Sequence, residues 1–170
     1  TLTRLHSDLG QAICELQREL NRENPEYQFV TTFIGVLDVD SGALEFVCAG
    51  HDAPFLLRGN QVTQIATGSV SGPPLCALAD YPYRSGHQQL AAGDVLCLFT
   101  DGVSEATDGQ RMFGRERLAE ALLATDPETT MTARAAAIRD AVRAFEAGRP
   151  PFDDLTLLLA CWYGQPSSER

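Results

Sequence analysis

The sequence predicts an α+β fold built mainly on antiparallel sheet, and three observations carry that prediction. β-rich runs come in adjacent pairs separated by turn-forming residues, as in hairpins. Segments of helical periodicity precede and follow these runs instead of alternating with them, which argues against a βαβ series. Near the end, "LTLLLACWY" is a continuous apolar run of strand length.

The elements follow in order. "TLTRLHSDLGQAICELQRELNRE" places Leu2, Leu5, Leu9, Ile13, Leu16 and Leu20 on one face of an amphipathic helix, which Asn24-Pro25 ends. "YQFVTTFIGVLDVDSGALEFVCAG" holds two strands around the turn "DVDSG", and "PFLLRGNQVTQI" is a second hairpin with Gly59-Asn60 at its tip. Residues 66–80, rich in small residues and proline, read as a loop. "YRSGHQQL", the turn "AAGD" and the strand "VLCLFT" come next. Leu118, Leu122 and Leu123 mark a short helix; Ile138, Val142 and Phe145 mark a longer one, stopped by Gly148 and Pro150-Pro151. The apolar run at 155–163 reads as a central strand covered on both faces. One domain over 1–164 and a disordered tail over 165–170 are expected.

Composition narrows the function classes. A chain of 170 residues with 44% hydrophobic content supports one sizeable core. Its formal net charge of −10 repels phosphate backbones, so a nucleic-acid partner is not expected. No apolar run approaches the roughly 18 residues of a membrane span, and no signal-peptide pattern opens the chain. The first residue is Thr1, so an upstream segment is expected to have been removed. The five cysteines are odd in number and form no C-x-x-C pair, which argues against a disulfide framework or a zinc ribbon. They read as reduced, buried small hydrophobes in a cytoplasmic compartment.

The chemistry is in the carboxylates at strand ends. In "VLCLFTDGVSEA" an apolar strand drops at once into Asp101-Gly102, with Glu105 close behind. Asp153-Asp154 has the mirror arrangement, lying just before the last apolar run. If the two strands are neighbours, Asp101 and Asp153 meet at one sheet end, and a divalent cation resolves their repulsion. Oxygen-only ligands favour Mg²⁺ or Mn²⁺. The plainer alternatives are a turn at Asp-Gly and a solvated lead-in at Asp153-Asp154.

These motifs, in this order, resemble one family. "FVTTFIGVLDVDSGALEFVCAGHDAPFLLR", "GDVLCLFTDGVSEA", "MFGRERL" and "FDDLTLLL" look like the signatures of bacterial metal-dependent serine/threonine phosphatases of the stage II sporulation protein E and sigma-regulator type, relatives of the type 2C protein phosphatases. The likeness runs from about Leu16 to Cys161. It implies a β-sandwich of mostly antiparallel sheets flanked by helices. It implies Asp101 and Asp153 as catalytic metal ligands, with Gly102 as backbone near the metal and Asp154 in support. Two Mn²⁺ or Mg²⁺ ions in the intact domain would activate water against a phosphoserine or phosphothreonine. The implied substrate is a phosphorylated regulator of the anti-anti-sigma-factor type, and the implied setting is a larger bacterial signalling protein with an upstream sensor or receiver domain.

Two departures stand out. The family carries an upstream G-D-[VS]-x-G-H-G motif whose aspartate bridges the metals, and nothing in this chain matches it. The domain is therefore expected to be N-terminally truncated, with a weak or inactive metal site, and strand exchange at an exposed sheet edge offers a route to a homodimer. A non-catalytic interaction module of the same fold is the competing reading. The second departure is Cys76, which stands where relatives tend to carry glycine. Among other residues, His51 fixes its turn through both ring nitrogens or serves the site; Glu105 assists a metal-bound water or caps the following loop. His6 and His87 read as surface residues. Arg111 and Arg115, around the expected mobile stretch "TDGQRMFG", are candidates to meet a phosphorylated partner.

Overall fold

The computed structural model describes residues 8–151 and 153–165. The expectations placed on Leu2, Leu5, His6 and residues 166–170 lie outside the described residues. The described residues pack as two compact units, one drawn from 8–53 and 66–90, the other from 54–65, 91–151 and 153–165.

The first unit opens with helix α1, Leu9–Arg22. Asp8 caps it by accepting the Gln11 N–H at 3.2 Å, and the Glu45 carboxylate accepts the Leu9 N–H at 3.1 Å. Its buried face is Leu9, Ala12, Ile13 and Gln17. Leu20, predicted on that face, is 40% exposed. Periodicity tells which side of a helix turns inward, not how far the surface beneath it extends.

Strands β1 (Thr32–Leu37) and β2 (Ala43–Ala49) form the predicted hairpin, in register Leu37↔Leu44 to Thr32↔Ala49. The hairpin β3 (Phe55–Arg58) and β4 (Gln61–Gln64) follows in the chain and belongs to the second unit. Within the first unit, β2 also pairs with β5 (Ser71–Gly72) in parallel and with β6 (Gly86–Gln89) antiparallel. The predicted loop 66–80 thus contains a two-residue strand, too short for any periodicity to show. Leu9, Ile13, Val47, Ala49, Leu75 and Tyr83 form this unit's core.

The second unit is a four-stranded antiparallel sheet in the order β4-β3-β7-β8, with β7 at Asp94–Phe99 and β8 at Leu157–Trp162. Helices α2 (Asp101–Ser104), α3 (Gly114–Leu123) and α4 (Met131–Phe145) complete it. Phe55, Leu57, Val95, Cys97 and Phe99 pack with Leu118, Leu122, Ile138 and Val142 in one core. At the hairpin tip, Arg58 Nη2 donates to buried Asp94 at 2.6 Å, and the Ala91 N–H donates to the same carboxylate at 2.8 Å. Burial alone would raise the Asp94 carboxyl; the Arg58 and Ala91 hydrogen bonds outweigh it, and its pKa lies below the ordinary value.

The last strand differs from expectation. It begins at Leu157 rather than 155 and, among the described residues, pairs with β7 alone. It is an edge strand: Leu157 and Leu159 turn toward the core while Leu158 is 53% exposed. An unbroken apolar run records the absence of polar residues, not coverage on both faces.

All five cysteines are free; Cys48 and Cys97 are buried and the other three partly so. Burial pushes the Cys97 thiol up to about 12. No described helix is long and apolar enough to cross a membrane.

Candidate functional site

The pairing of β7 and β8 continues beyond the strands themselves. Phe99 opposes Leu157, and the Thr100 N–H then donates to the Thr156 carbonyl at 3.1 Å. The Thr100 hydroxyl donates to the Asp154 carbonyl at 3.2 Å and accepts the Thr156 N–H at 3.2 Å. One residue therefore locks the end of one chain to the start of the other. Asp101 leaves the lock on one side and Asp153 enters it on the other.

Gly102 tightens this junction. A Cβ there would run into the Asp154 carbonyl oxygen and lie 2.8 Å from its carbon and 3.3 Å from the Leu155 nitrogen. Only a residue without a side chain lets the first turn of α2 press on the 154–155 peptide. The plainer alternative for Asp101-Gly102 was a turn. The pair is instead the first turn of a helix whose N-cap, Thr100, makes no side-chain cap because its hydroxyl is engaged across the strands.

The carboxylates are anchored through one oxygen each. Asp101 Oδ1 accepts the Gly102 N–H at 2.9 Å, and Asp153 Oδ1 accepts the Asp154 N–H at 2.7 Å. Both side chains, and that of Asp154, are exposed. Neither Asp101 nor Asp153 pairs with an arginine among the described residues. The result is unneutralised negative charge at one sheet end. Among the described residues, no group of three or more His, Cys, Asp or Glu stands together in a form able to hold a metal ion. Two aspartates with water completing the shell is a donor set that suits Mg²⁺ or Mn²⁺, which keep several waters when protein-bound.

The remaining candidates are placed as follows. Glu105 closes α2, its N–H donating to the Asp101 carbonyl at 2.7 Å and its side chain exposed. Asp154 contributes its main-chain carbonyl to the junction. His51 belongs to the first unit; Nδ1 donates to the Asp52 carbonyl at 2.8 Å, so one ring nitrogen, not both, is engaged among the described residues. Cys76 has φ of 68°, a left-handed conformation that explains why glycine suits this position. Arg111 pairs with Asp108 at 3.0 Å, and the Arg115 guanidinium lies 4.9 Å from the centroids of both Phe55 and Phe99. The Arg115 guanidinium is therefore packed against the aromatic core. The stretch 107–112 is a tight turn, bridged Thr107 to Met112, in which Asp108 Oδ1 accepts the N–H groups of Gln110 and Arg111, each at 2.8 Å. Sequence reasoning missed Thr100. Its only signal was position, the residue between strand and Asp-Gly.

Comparison with known proteins identifies the family. The profile of stage II sporulation protein E (SpoIIE) matches residues 1–163. Protein IcfG of Synechocystis is 28% identical over 131 residues, covering 76% of this chain and 20% of IcfG. Phosphoserine phosphatase RsbU of Bacillus subtilis is 28% identical over 96 residues, covering 56% of this chain and 28% of RsbU. The chain thus spans between a fifth and just over a quarter of these curated relatives. The solved phosphatase domain of SpoIIE from B. subtilis, presoaked with manganese, superimposes with a TM-score of 0.70 at 18% identity, covering 97% of this chain and 72% of that one. The predicted α+β, type 2C phosphatase-like class is the one observed. The chain belongs to the stage II sporulation protein E family, and its fold is that of the PP2C phosphatase domains.

Proposed function

We propose that the chain carries metal-dependent protein serine/threonine phosphatase chemistry and acts on a phosphorylated regulatory protein of the anti-anti-sigma-factor type. The observation that supports this most is the junction at Thr100 and Gly102, which sets Asp101 and Asp153 at adjoining chain ends. Family membership and the phosphoserine phosphatase RsbU among the relatives point the same way.

In this reading Asp101 and Asp153 hold Mn²⁺ or Mg²⁺ through the oxygens left free of backbone bonds. When bound there, divalent ions would supply an activated water and neutralise charge on the phosphoryl oxygens. The chain's own part is positional. Thr100 holds two ligand-bearing segments in register, Gly102 admits their close approach, and the Gly102 and Asp154 N–H groups fix each carboxylate's rotamer. Phosphate-monoester hydrolysis is among the slowest reactions in water, so such preorganisation has a large barrier to lower. The share of IcfG and RsbU that the chain spans fits an output domain beside a sensor or receiver domain.

Calorimetric titration with Mn²⁺ tests the reading. Binding is expected in the 170-residue chain and lost in both Asp101→Asn and Asp153→Ala. Release of phosphate from a phosphoserine protein, measured with Mn²⁺ on the longer parent protein, is expected to disappear in the same variants. Unchanged Mn²⁺ affinity in both would refute the assignment.

A further inference from the structure

Among the described arginines of the second unit, Arg149 stands apart; Arg84, in the first unit, shares its lack of a side-chain partner. Every basic residue is an arginine, 13 in all. Six of those described pair with a carboxylate. Arg115 and Arg117 stack on phenylalanine rings, and Arg134 donates to the Thr125 hydroxyl at 2.8 Å. The Arg149 side chain has no hydrogen-bonding or ion-pair partner among the described residues, yet packing positions it. Its guanidinium carbon lies 2.6 Å, and its two terminal nitrogens 2.7 and 2.9 Å, from where a Cβ on Gly109 would be. The fork rests flat on the bare glycine, whose φ of 91° already disfavours any other residue.

The support beneath it is stiff. Gly109 belongs to the turn that Asp108 ties with two backbone N–H bonds and with Arg111. Its location is constrained too. Arg149 precedes Asp153 by four positions, which limits their Cα separation to about 13–14 Å. The turn that carries Gly109 follows directly on α2, which begins at Asp101. Arg149 and its support are thus each tethered by a short stretch of chain to one of the two candidate ligands.

From this arrangement we infer that Arg149 binds the phosphoryl oxygens of the substrate. The inference rests on the phosphatase reading and adds a substrate-binding residue to it. The chemistry is specific. The chain's net charge of −10 repels a phosphate dianion, and a guanidinium without an acidic partner offsets that locally. Its planar donors match two phosphoryl oxygens at once, which an ammonium cannot do.

Titration of the full chain with inorganic phosphate in the presence of Mg²⁺, followed by the arginine Nε–H resonances, tests it. Arg149→Ala is expected to weaken phosphate binding roughly tenfold or more, the usual loss for a charged hydrogen bond. Arg149→Lys should recover part of that loss. Gly109→Ala, which displaces the guanidinium, should behave like Arg149→Ala. Arg84→Ala, in the other unit, should bind as the parent does. Phosphate affinity unchanged in Arg149→Ala, or no phosphate binding by the parent chain at millimolar concentration, would overturn the inference. Mn²⁺ affinity is read separately: its insensitivity to both Asp101→Asn and Asp153→Ala defeats the phosphatase reading, while the phosphate titration still judges Arg149.

Discussion

Replacing Gly102 by alanine is the sharpest probe of the candidate site. The added methyl carbon would overlap the Asp154 carbonyl oxygen and stand 2.8 Å from its carbon. These are backbone atoms, so no side-chain rotation relieves the clash; either α2 or the segment before β8 must move. Overpacking of this kind costs about 1–3 kcal/mol, and alanine's better helix propensity returns up to about 1 kcal/mol of it. A net loss of about 1–2 kcal/mol lowers the melting temperature of a domain this size by roughly 2–8 °C. The effect on the metal is expected to be larger. Ligand distances tolerate only about 0.2 Å, and the clash separates the two ligand-bearing segments by more than that. Thermal melts and Mn²⁺ titration, run beside Gly68→Ala, measure both effects; a Cβ at Gly68 meets nothing within 4 Å. If Gly102→Ala melts and binds Mn²⁺ like the parent, the junction does not position the site.

Three further outcomes are expected. Thr100→Val keeps the shape but removes the hydroxyl that bridges the Asp154 carbonyl and the Thr156 N–H; a loss of about 1 kcal/mol in urea denaturation and weaker Mn²⁺ binding should follow. The Asp108 carboxyl, held down to about 2 mainly by the Arg111 and Gln110 N–H bonds, should titrate near that value by NMR. Because its folded pKa is depressed, its contribution to stability is complete above the unfolded value near 3.8 and fades as pH falls through about 2. An Asp108 carboxyl titrating near 4 would show that the turn is not closed in solution. Finally, Leu118→Ala should cost about 2–5 kcal/mol and Leu158→Ala less than about 1 kcal/mol, since the first is fully buried and the second 53% exposed. Equal losses would restore β8 to the centre of a covered sheet.

The sequence by itself determined the local elements. Hairpins β1–β2 and β3–β4, helices α1, α3 and α4, and the strand leading into Asp101 are readable because turn residues and apolar period are properties of neighbouring positions. The two aspartates were legible for the same reason: each interrupts an apolar run next to it. What only the tertiary structure decided is where surfaces end and which distant segments touch. The exposure of Leu20, the edge position of β8, the two-residue strand inside 66–80 and the packing of Arg115 on Phe55 and Phe99 all depend on what lies opposite in space. The junction is the clearest case. Thr100 and Gly102 look like ordinary residues of a strand end and a turn, and their roles arise from a carbonyl more than 50 positions away. Periodicity reports neighbours along the chain; a hydrogen bond or a steric limit across it is set by the fold.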